Sequence, residues 1–380
     1  MPSTDSTPEA QDRRAPLAFA LDAGPGEWTT ARKQGDALAY RRAVDRTIEI
    51  AQIAEQAGIE SFWTLEDPDG WDAFAVLSAI ARSTERIRLG TGVTNPYYRH
   101  PSQIAASVST LDALSNGRAF LGLGRGQTEW YAYALGIHVG NPVHALSETI
   151  DLLRQWWRPE ATATASEDAT EFAVNDWKRV IYPVQPSVPV YLAAAGPQAL
   201  RLAGRKADGV LFNDLTSPRF MAEAIATVRS AANAAGRDPD GLRFAARTAI
   251  RVTDDPEPIY EQRKATIAMI HTLPRMARLL TSPNFDVDKI IADVKAVMHT
   301  DEVLAKGGAF TDLRAGGAMQ AARRLIPTAL MRELVFAGPA AELRERLHGL
   351  HAIGITDVFL AAQGRDVTVE SLADLIASLR

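Results

Sequence analysis

Short apolar runs alternate with stretches of helical periodicity along most of the chain. Eight runs, bounded by glycine, proline or polar residues, predict strands at 17–23, 61–65, 86–94, 118–124, 188–194, 209–213, 242–252 and 356–361. Between them, apolar residues recur at helical spacing, as Val44, Ile48 and Ala51 do within 38–57. This alternation predicts a parallel sheet whose consecutive strands are joined by helices.

The number of strands favours one fold within the α/β class. Eight strands, with a helical pattern and no convincing strand in 256–349, predict a TIM (β/α)8 barrel with a helical insertion before the eighth strand. A doubly wound open sheet is the alternative, which the regular alternation disfavours. Residues 17–380 are interpreted as one domain, and the polar segment 1–16 as a disordered lead-in.

The segment 86–127 is the most informative part of the chain, because two glycine-rich strands flank one helix of crossover length. Parallel strands collect their loops at their C-terminal ends. We therefore expect the loops that begin at Thr94 and Arg125 to face one crevice.

The turn at Ala194, Ala195 and Gly196 joins a buried strand to a helix that begins at Pro197. Backbone amides in the first turn of a helix can bind a phosphate, and small residues let an anion approach them. This turn is therefore a candidate phosphate site. The alternative is an ordinary strand-to-helix turn, for which proline at the first helical position is typical.

Glycine also recurs at Gly122, Gly124 and Gly126, directly after a strand. The third glycine of the dinucleotide-binding pattern would fall at Gln127, and no helix is predicted to begin there, so the spacing does not fit. The phosphate-binding pattern of P-loop enzymes is absent from the sequence.

Two acids, Glu66 and Asp67, follow the second strand and would face the same crevice. Neighbouring carboxyl groups divide acid and base roles when their surroundings separate their pKa values. A helix-capping or loop role is the alternative for Asp67. Four tryptophans near strand ends are candidates for an aromatic wall, with core packing preferred for Trp63: Trp28, Trp63, Trp71 and Trp130.

Composition and charge exclude several functions. A net charge of −5 and a pI near 5.9 provide no basic field for nucleic acid. No apolar run reaches the length of about 18 residues that a membrane span needs. The sequence contains 0 cysteines, and its 7 histidines lack metal-ligand spacing, so no metal site is predicted. We expect a cytoplasmic protein without nucleic-acid or membrane partners.

Three separated segments resemble one family in the right order. They are LGTGVTNPYYRHP, TLDALSNGR and GLGRGQ within 86–127, YLAAAGPQALRLAGRKADGVLF at 191–212, and FAGPAAELRERLHGLHAIGITDVFLA at 336–361. The chain resembles the bacterial luciferase-like monooxygenase superfamily, in particular its coenzyme F420-dependent, methylenetetrahydromethanopterin reductase-like branch.

The resemblance implies a barrel that holds a flavin or deazaflavin at the C-terminal ends of its strands. It also implies a bulged third strand with a non-prolyl cis peptide at Gly92-Val93. The implied cofactor-binding residues are Gly92, Val93, Thr94, Asn95, Gly124, Arg125, Gln127, Ala194, Ala195 and Gly196, and the implied catalytic residues are Glu66, Asp67 and Gln127. The alternative for the glycines is close backbone packing.

The sequence also departs from the family. Related sugar-phosphate dehydrogenases have Asp-His where Glu66 and Asp67 stand, and a glutamate in place of Gln127. Both differences remove titratable groups that those relatives use for proton transfer. The dehydrogenase reaction is therefore not transferred to this chain.

These observations lead to one main hypothesis, an oxidoreductase that transfers a hydride between coenzyme F420 and a small organic substrate. An FMN-dependent luciferase-like monooxygenase is the first alternative, and a non-catalytic cofactor-binding barrel is the second. The resemblance further implies a homodimer, with helices such as 102–114 facing the partner.

Overall fold

The computed structural model describes residues 15–23, 35, 37–66, 70–160, 162–307, 313, 317–361 and 367–380. Within these ranges, eight parallel strands form a closed barrel. They are β1 (Ala18–Ala23), β2 (Ser61–Thr64), β3 (Arg88–Thr91), β4 (Ala119–Leu123), β5 (Val190–Ala193), β6 (Gly209–Phe212), β7 (Arg243–Val252) and β8 (Asp357–Leu360).

The strand pairing follows chain order around the barrel. Each strand pairs with the next, and β8 pairs with both β7 and β1, which closes the sheet. The predicted TIM barrel is confirmed, and the open doubly wound alternative is wrong because no strand of the barrel remains at an edge. Each predicted strand contains an observed one, with ends shifted by three residues at most.

Helices surround the barrel and build the insertion. Those of the described ranges are α1 (Ala37–Gln56), α2 (Ala73–Ser83), α3 (Pro101–Leu114), α4 (Thr128–Leu135), α5 (Pro142–Trp156), α6 (Pro197–Lys206), α7 (Pro218–Ala234), α8 (Glu257–Thr266), α9 (Val287–Met298), α10 (Thr300–Ala305), α11 (Met319–Leu325), α12 (Thr328–Leu334), α13 (Ala340–Ile353) and α14 (Val369–Leu379). A π-helical turn, Ile267–His271, continues α8, and a 3-10 turn spans Ala277–Leu280. None of these helices is long and apolar enough to cross a bilayer.

The insertion differs from its prediction at one point. Residues Ala337–Gly338 form a short strand that pairs with Arg251 and Val252 at the end of β7, so the expectation of no strand in 256–349 is wrong there. The reason is the length of β7, whose last residues extend past the barrel and offer unpaired backbone groups. The helix α13 then returns the chain to β8.

Large rings fill the middle of the barrel. Trp63, Phe120, Tyr191 and Phe359 pack there, with ring centroids of Trp63 and Phe120 4.3 Å apart. A Cβ atom at Gly90 would lie 2.3 Å from the ring of Phe120, so only glycine allows this strand to pass the ring. The core role preferred for Trp63 is confirmed, since the residue is 2% exposed.

A carboxylate ties α1 to the entry of β3. Glu55, in the last turn of α1, accepts hydrogen bonds from the backbone amides of Glu85 (3.0 Å), Arg86 and Ile87 (2.8 Å). Partial burial raises the pKa of Glu55, but these three amides lower it more, so that the net pKa is below its ordinary value. The ionised form therefore contributes to stability.

We expect Glu55→Gln to lower the free energy of unfolding at pH 7 by about 1 kcal/mol, a modest value because water screens this partly exposed group. The folded-state pKa is depressed, so this contribution is present above the ordinary pKa of 4.5 and is lost as the pH falls. Urea denaturation at pH 7 and pH 3 measures the difference. Glu49→Gln, on the same helix in an exposed pair with Arg46, is the control. Equal effects of both variants would contradict this role for Glu55.

Candidate active site

The C-terminal ends of β3 and β4 lie side by side, as the sequence predicted. The amide of Thr94 donates to the carbonyl of Gly122 (3.0 Å), and the amide of Gly124 donates to the carbonyl of Thr94 (2.9 Å). The peptide bond Gly92-Val93 is cis, as the resemblance implied. These backbone contacts bring the two predicted cofactor loops into one wall of the barrel mouth.

The glycines of this wall are needed for close packing. A Cβ atom at Gly122 would lie 2.0 Å from the carbonyl oxygen of Thr91, and one at Gly124 would lie 2.7 Å from a methyl group of Val93. Strand packing alone therefore requires glycine at both positions. Their contact with a cofactor stays a prediction.

Glu66 is buried in an ion-pair network at the end of β2. Its Oε1 atom accepts from Nε of Arg99 (2.7 Å) and lies 2.6 Å from Nη2, and its Oε2 atom accepts from the hydroxyl of Thr94. Arg99 also pairs with Asp72 at 2.7 Å and lies over the ring of Phe74. Both carboxylate oxygens of Glu66 are thus occupied by the loop that follows β3.

Electrostatics reinforces this network. Burial lowers the pKa of Arg99, but Glu66 and Asp72 raise it by more than burial lowers it. The net pKa of Arg99 therefore lies above its ordinary value. Burial raises the pKa of Asp72, whereas Arg99 and the amide of Ala75 lower it more, to a net value below the ordinary one. Asp72 also caps α2 by accepting from the backbone amide of Ala75.

Asn95 organises the loop after β3. Its side chain is buried, accepts from the amides of Tyr97 (3.1 Å) and Tyr98 (2.8 Å), and donates to the hydroxyl of Tyr131 (3.1 Å). These bonds fix the loop that carries Arg99 against α4. The predicted role of Asn95 in cofactor binding is not needed to explain its burial.

The loop after β4 ends in a helix that the sequence analysis missed. The helix α4 begins at Thr128, directly after Gln127, so the expectation that no helix begins there is wrong. Gly126 has a φ of 64°, which turns the chain into this helix, and the side chain of Gln127 makes no capping hydrogen bond. Arg125 donates to the hydroxyl of Thr128 at 2.9 Å.

The turn after β5 joins a buried strand to a helix that begins at Pro197, as the sequence predicted. Gly196 is the N-cap of α6, Pro197 is its first residue, and a Cβ atom at Gly196 would meet nothing within 4 Å. Ala194 is buried, whereas Ala195 and Gly196 are partly exposed. The start of α6 is therefore accessible at Gly196, and phosphate binding by this turn stays a prediction.

Some predicted site residues lie outside the described residues. Asp67 and Trp28 are in this group, and the side chain of Trp130 belongs to it as well. Trp71 is partly buried beside α1. The roles of these residues stay predictions.

The structure adds a charged cluster at the mouth that the sequence analysis missed. Asp22 at the end of β1 pairs with Nε of Arg247 on β7 at 3.1 Å, and Asp214 after β6 pairs with Arg263 on α8. His271, fully buried in the π-helical turn, lies near Asp214 and Arg263. We call these five residues the charged cluster.

Burial shifts the pKa values of two residues of the charged cluster, Asp22 and His271. Burial raises the pKa of Asp22, and Asp214 adds to this, although Arg247 and Arg263 oppose both effects. Burial lowers the pKa of His271 to about 4, so this imidazole is neutral at pH 7. One signal existed in the sequence: Asp22 interrupts an otherwise apolar strand near its C-terminal end.

No group of three or more His, Cys, Asp or Glu side chains suited to a metal ion occurs among the described residues. The mouth thus combines a glycine- and alanine-rich wall with a charged cluster. Fold and site together define a class, TIM-barrel proteins with their candidate ligand site at the C-terminal ends of the strands.

The chain belongs to the luciferase-like monooxygenase family, whose family model matches residues 26–357. It is similar to a 5,10-methylenetetrahydromethanopterin reductase from Methanolobus tindarius, with 29% identity over 308 residues, 81% of this chain and 87% of the relative. It is also similar to the F420-dependent hydroxymycolic acid dehydrogenase of Mycobacterium tuberculosis, with 34% identity over 224 residues, 56% of this chain and 60% of the relative.

Solved structures agree on the fold. The coenzyme F420-dependent tetrahydromethanopterin reductase from Methanopyrus kandleri matches with a TM-score of 0.72 and 23% identity, covering 95% of this chain and 97% of that one. An F420-dependent secondary alcohol dehydrogenase matches with a TM-score of 0.67 and 17% identity over 96% of this chain and 100% of that one. The predicted family and fold are confirmed.

We expect Arg99→Ala to destabilise the protein by about 3–5 kcal/mol, because it leaves the buried Glu66 carboxylate without its cation. Urea denaturation at pH 7 measures the change. The control is Arg41→Ala, which removes an exposed pair with Asp45 and should change the free energy of unfolding by less than about 0.5 kcal/mol. A small loss for Arg99→Ala would show that the network is dispensable.

Proposed function

We propose that this protein is a coenzyme F420-dependent oxidoreductase that transfers a hydride between the cofactor and a small organic substrate at the barrel mouth. The observation that carries the proposal is the open helix terminus at Gly196 beside the glycine-rich wall of β3 and β4. The names of similar proteins support it, since several of them are called F420-dependent.

The residues at the mouth fit such a cofactor. In this proposal the amides at Ala195 and Gly196 hold its phosphate, and Arg125 faces its acidic tail. Gly92 to Asn95 and Gly124 to Gln127 line the ring, with Ala194 beside the phosphate turn. When bound, the deazaflavin ring supplies the hydride chemistry, and the protein supplies position, electrostatics and exclusion of water.

The three proposed catalytic residues receive different roles. Glu66 acts by position, because Arg99 and Thr94 occupy its two oxygens and hold the loop after β3 in place. Asp67 and Gln127 remain the proposed residues in contact with the reacting atoms. Asp22 is a further carboxyl group at the mouth, where it pairs with Arg247.

Titration of the purified protein with coenzyme F420 and with FMN tests the proposal. We expect saturable binding of F420, and reduction or oxidation of bound F420 by a substrate panel of alcohols, aldehydes and imines. Preferential FMN binding with oxygen consumption would instead support a monooxygenase, and binding without turnover would support a cofactor-binding barrel. Failure to bind either compound would refute the hypothesis that this protein is a cofactor-dependent enzyme.

The phosphate turn has its own test. We expect Ala195→Asp to weaken F420 binding at least about tenfold, because a carboxylate beside the first-turn amides repels a phosphate. Gln56→Glu, which adds the same charge on α1, should leave the dissociation constant unchanged within about twofold. Equal dissociation constants for wild type and Ala195→Asp would remove this turn from the site.

We also propose a homodimer that uses the outer face of α3. The exposed apolar segment 177–184, with Val180 89% exposed and Val184 60% exposed, lies against this helix. It is anchored there, because Arg179 donates to the carbonyl of Ser102 and Asp112 accepts from the amide of Val184. Exposed apolar patches of this kind are typical of interfaces.

Sedimentation velocity at micromolar concentration tests the dimer. We expect Val180→Asp to shift the protein toward the monomer, because a buried unpaired carboxylate opposes association. Leu38→Asp places the same charge at another exposed apolar position and should sediment as wild type does. A monomeric wild type would refute the dimer.

A cytoplasmic location is also part of the proposed function, and it rests on composition alone.

A further inference from the structure

Arg247 occupies an unusual place on β7. Between the pairs Ala246–Val358 and Ile250–Leu360, β7 has more residues than β8, so the residues from Arg247 to Ala249 bulge out of register. Ala249 has a φ of 46°, a left-handed conformation that alanine seldom adopts. Bulges re-aim side chains and are common near active sites. Here the bulge directs Arg247 to the mouth.

The guanidinium of Arg247 contacts two other strands. Its Nη2 atom donates to the carbonyl of Gly92 at 2.8 Å, and its Nε atom lies 3.1 Å from a carboxylate oxygen of Asp22. Its plane lies over the ring of Phe359, 5.4 Å from the centroid. One side chain thus connects the wall of β3, the carboxylate of β1 and the ring of β8.

Glycine at position 92 makes this contact possible. A Cβ atom there would lie 2.8 Å from Nη2 of Arg247 and 3.2 Å from Cβ of Trp63. The side chain of Arg247 is 13% exposed, so its two polar contacts are only weakly screened by water. Lysine would keep the charge but not the planar guanidinium, which donates to the Gly92 carbonyl and at the same time forms an ion pair with Asp22.

We propose that Arg247 is a positioning residue, which holds the Gly92 carbonyl and the Asp22 carboxylate in one fixed arrangement across the mouth. The inference rests on the proposed function, since Gly92 belongs to the wall assigned to the cofactor. Arg247 acts on the ligand site through these two groups. No catalytic step is assigned to it.

The first test needs no cofactor. In the free protein the amides of Gly92, Thr94 and Gly124 are hydrogen-bonded within the barrel. We expect Arg247→Ala to increase their hydrogen–deuterium exchange at least about tenfold, because the wall loses a charge-assisted bond. Arg247→Lys should give an intermediate increase. Arg332→Ala, which removes an exposed pair with Glu257 in the insertion, is the control.

The second test measures binding. We expect Arg247→Ala to raise the dissociation constant of F420 at least about tenfold, and guanidinium at a non-denaturing concentration to restore it in part. Guanidinium should not change the binding by wild type or by Arg332→Ala. Rescue by free guanidinium, the group that Arg247→Ala removes, distinguishes a positioning role of Arg247 from a general loss of stability.

The outcomes separate the two proposals. A wild type that does not bind F420 refutes the proposed function, whereas the exchange experiment still decides the role of Arg247. Unchanged exchange in Arg247→Ala, or equal changes in Arg332→Ala, would overturn the inference. If Arg247→Ala does not fold, Arg247→Lys takes its place, and wild-type exchange in that variant together with wild-type binding would overturn the inference.

Discussion

The filling of the barrel interior is the constraint on which the rest of the structure depends. A closed ring of eight parallel strands has room for few side chains, and here Trp63, Phe120, Tyr191 and Phe359 take most of the middle layer. Large rings fit only where neighbouring strands carry glycine, as Gly90 does beside Phe120. Packing therefore determines where this sheet is glycine-rich.

The same constraint divides the mouth above this layer. On β3 and β4, glycine continues toward the C-terminal ends at Gly92, Gly122 and Gly124, where neighbouring atoms fill the space that a Cβ atom would take. On β1 and β7, the inward positions at the same end carry Asp22 and Arg247. The mouth thus has a closely packed, glycine-rich wall on one side and a charged pair on the other.

Charged side chains at the mouth are arranged in pairs that cross between elements. Glu66 with Arg99 joins β2 to the loop after β3, Asp22 with Arg247 joins β1 to β7, and Asp214 with Arg263 joins β6 to the insertion. Burial makes an unpaired charge costly, so each pair also holds its two elements together. The mouth is thus supported by electrostatic contacts, whereas the layer beneath it is supported by packing.

Much of this was accessible from the sequence, for local reasons. Apolar runs and helical periodicity depend on neighbours in the chain, and they determined the eight strands, the insertion and the strand-to-helix turn at Gly196. Family motifs added the cis peptide at Gly92-Val93. The sequence did not predict α4 after Gln127 or the short strand at Ala337–Gly338, because local patterns are weak there. Both elements depend on the space and the unpaired backbone groups that the surrounding structure offers.

The tertiary structure alone decided the partners of the charged residues. The two oxygens of Glu66 accept hydrogen bonds from groups about thirty residues away in the chain, Thr94 and Arg99. Asp22 and Arg247 are separated by more than half of the chain and meet only because the barrel closes. Periodicity records which face of a strand is buried, whereas ion pairs between distant strands depend on register and closure, which no local pattern encodes.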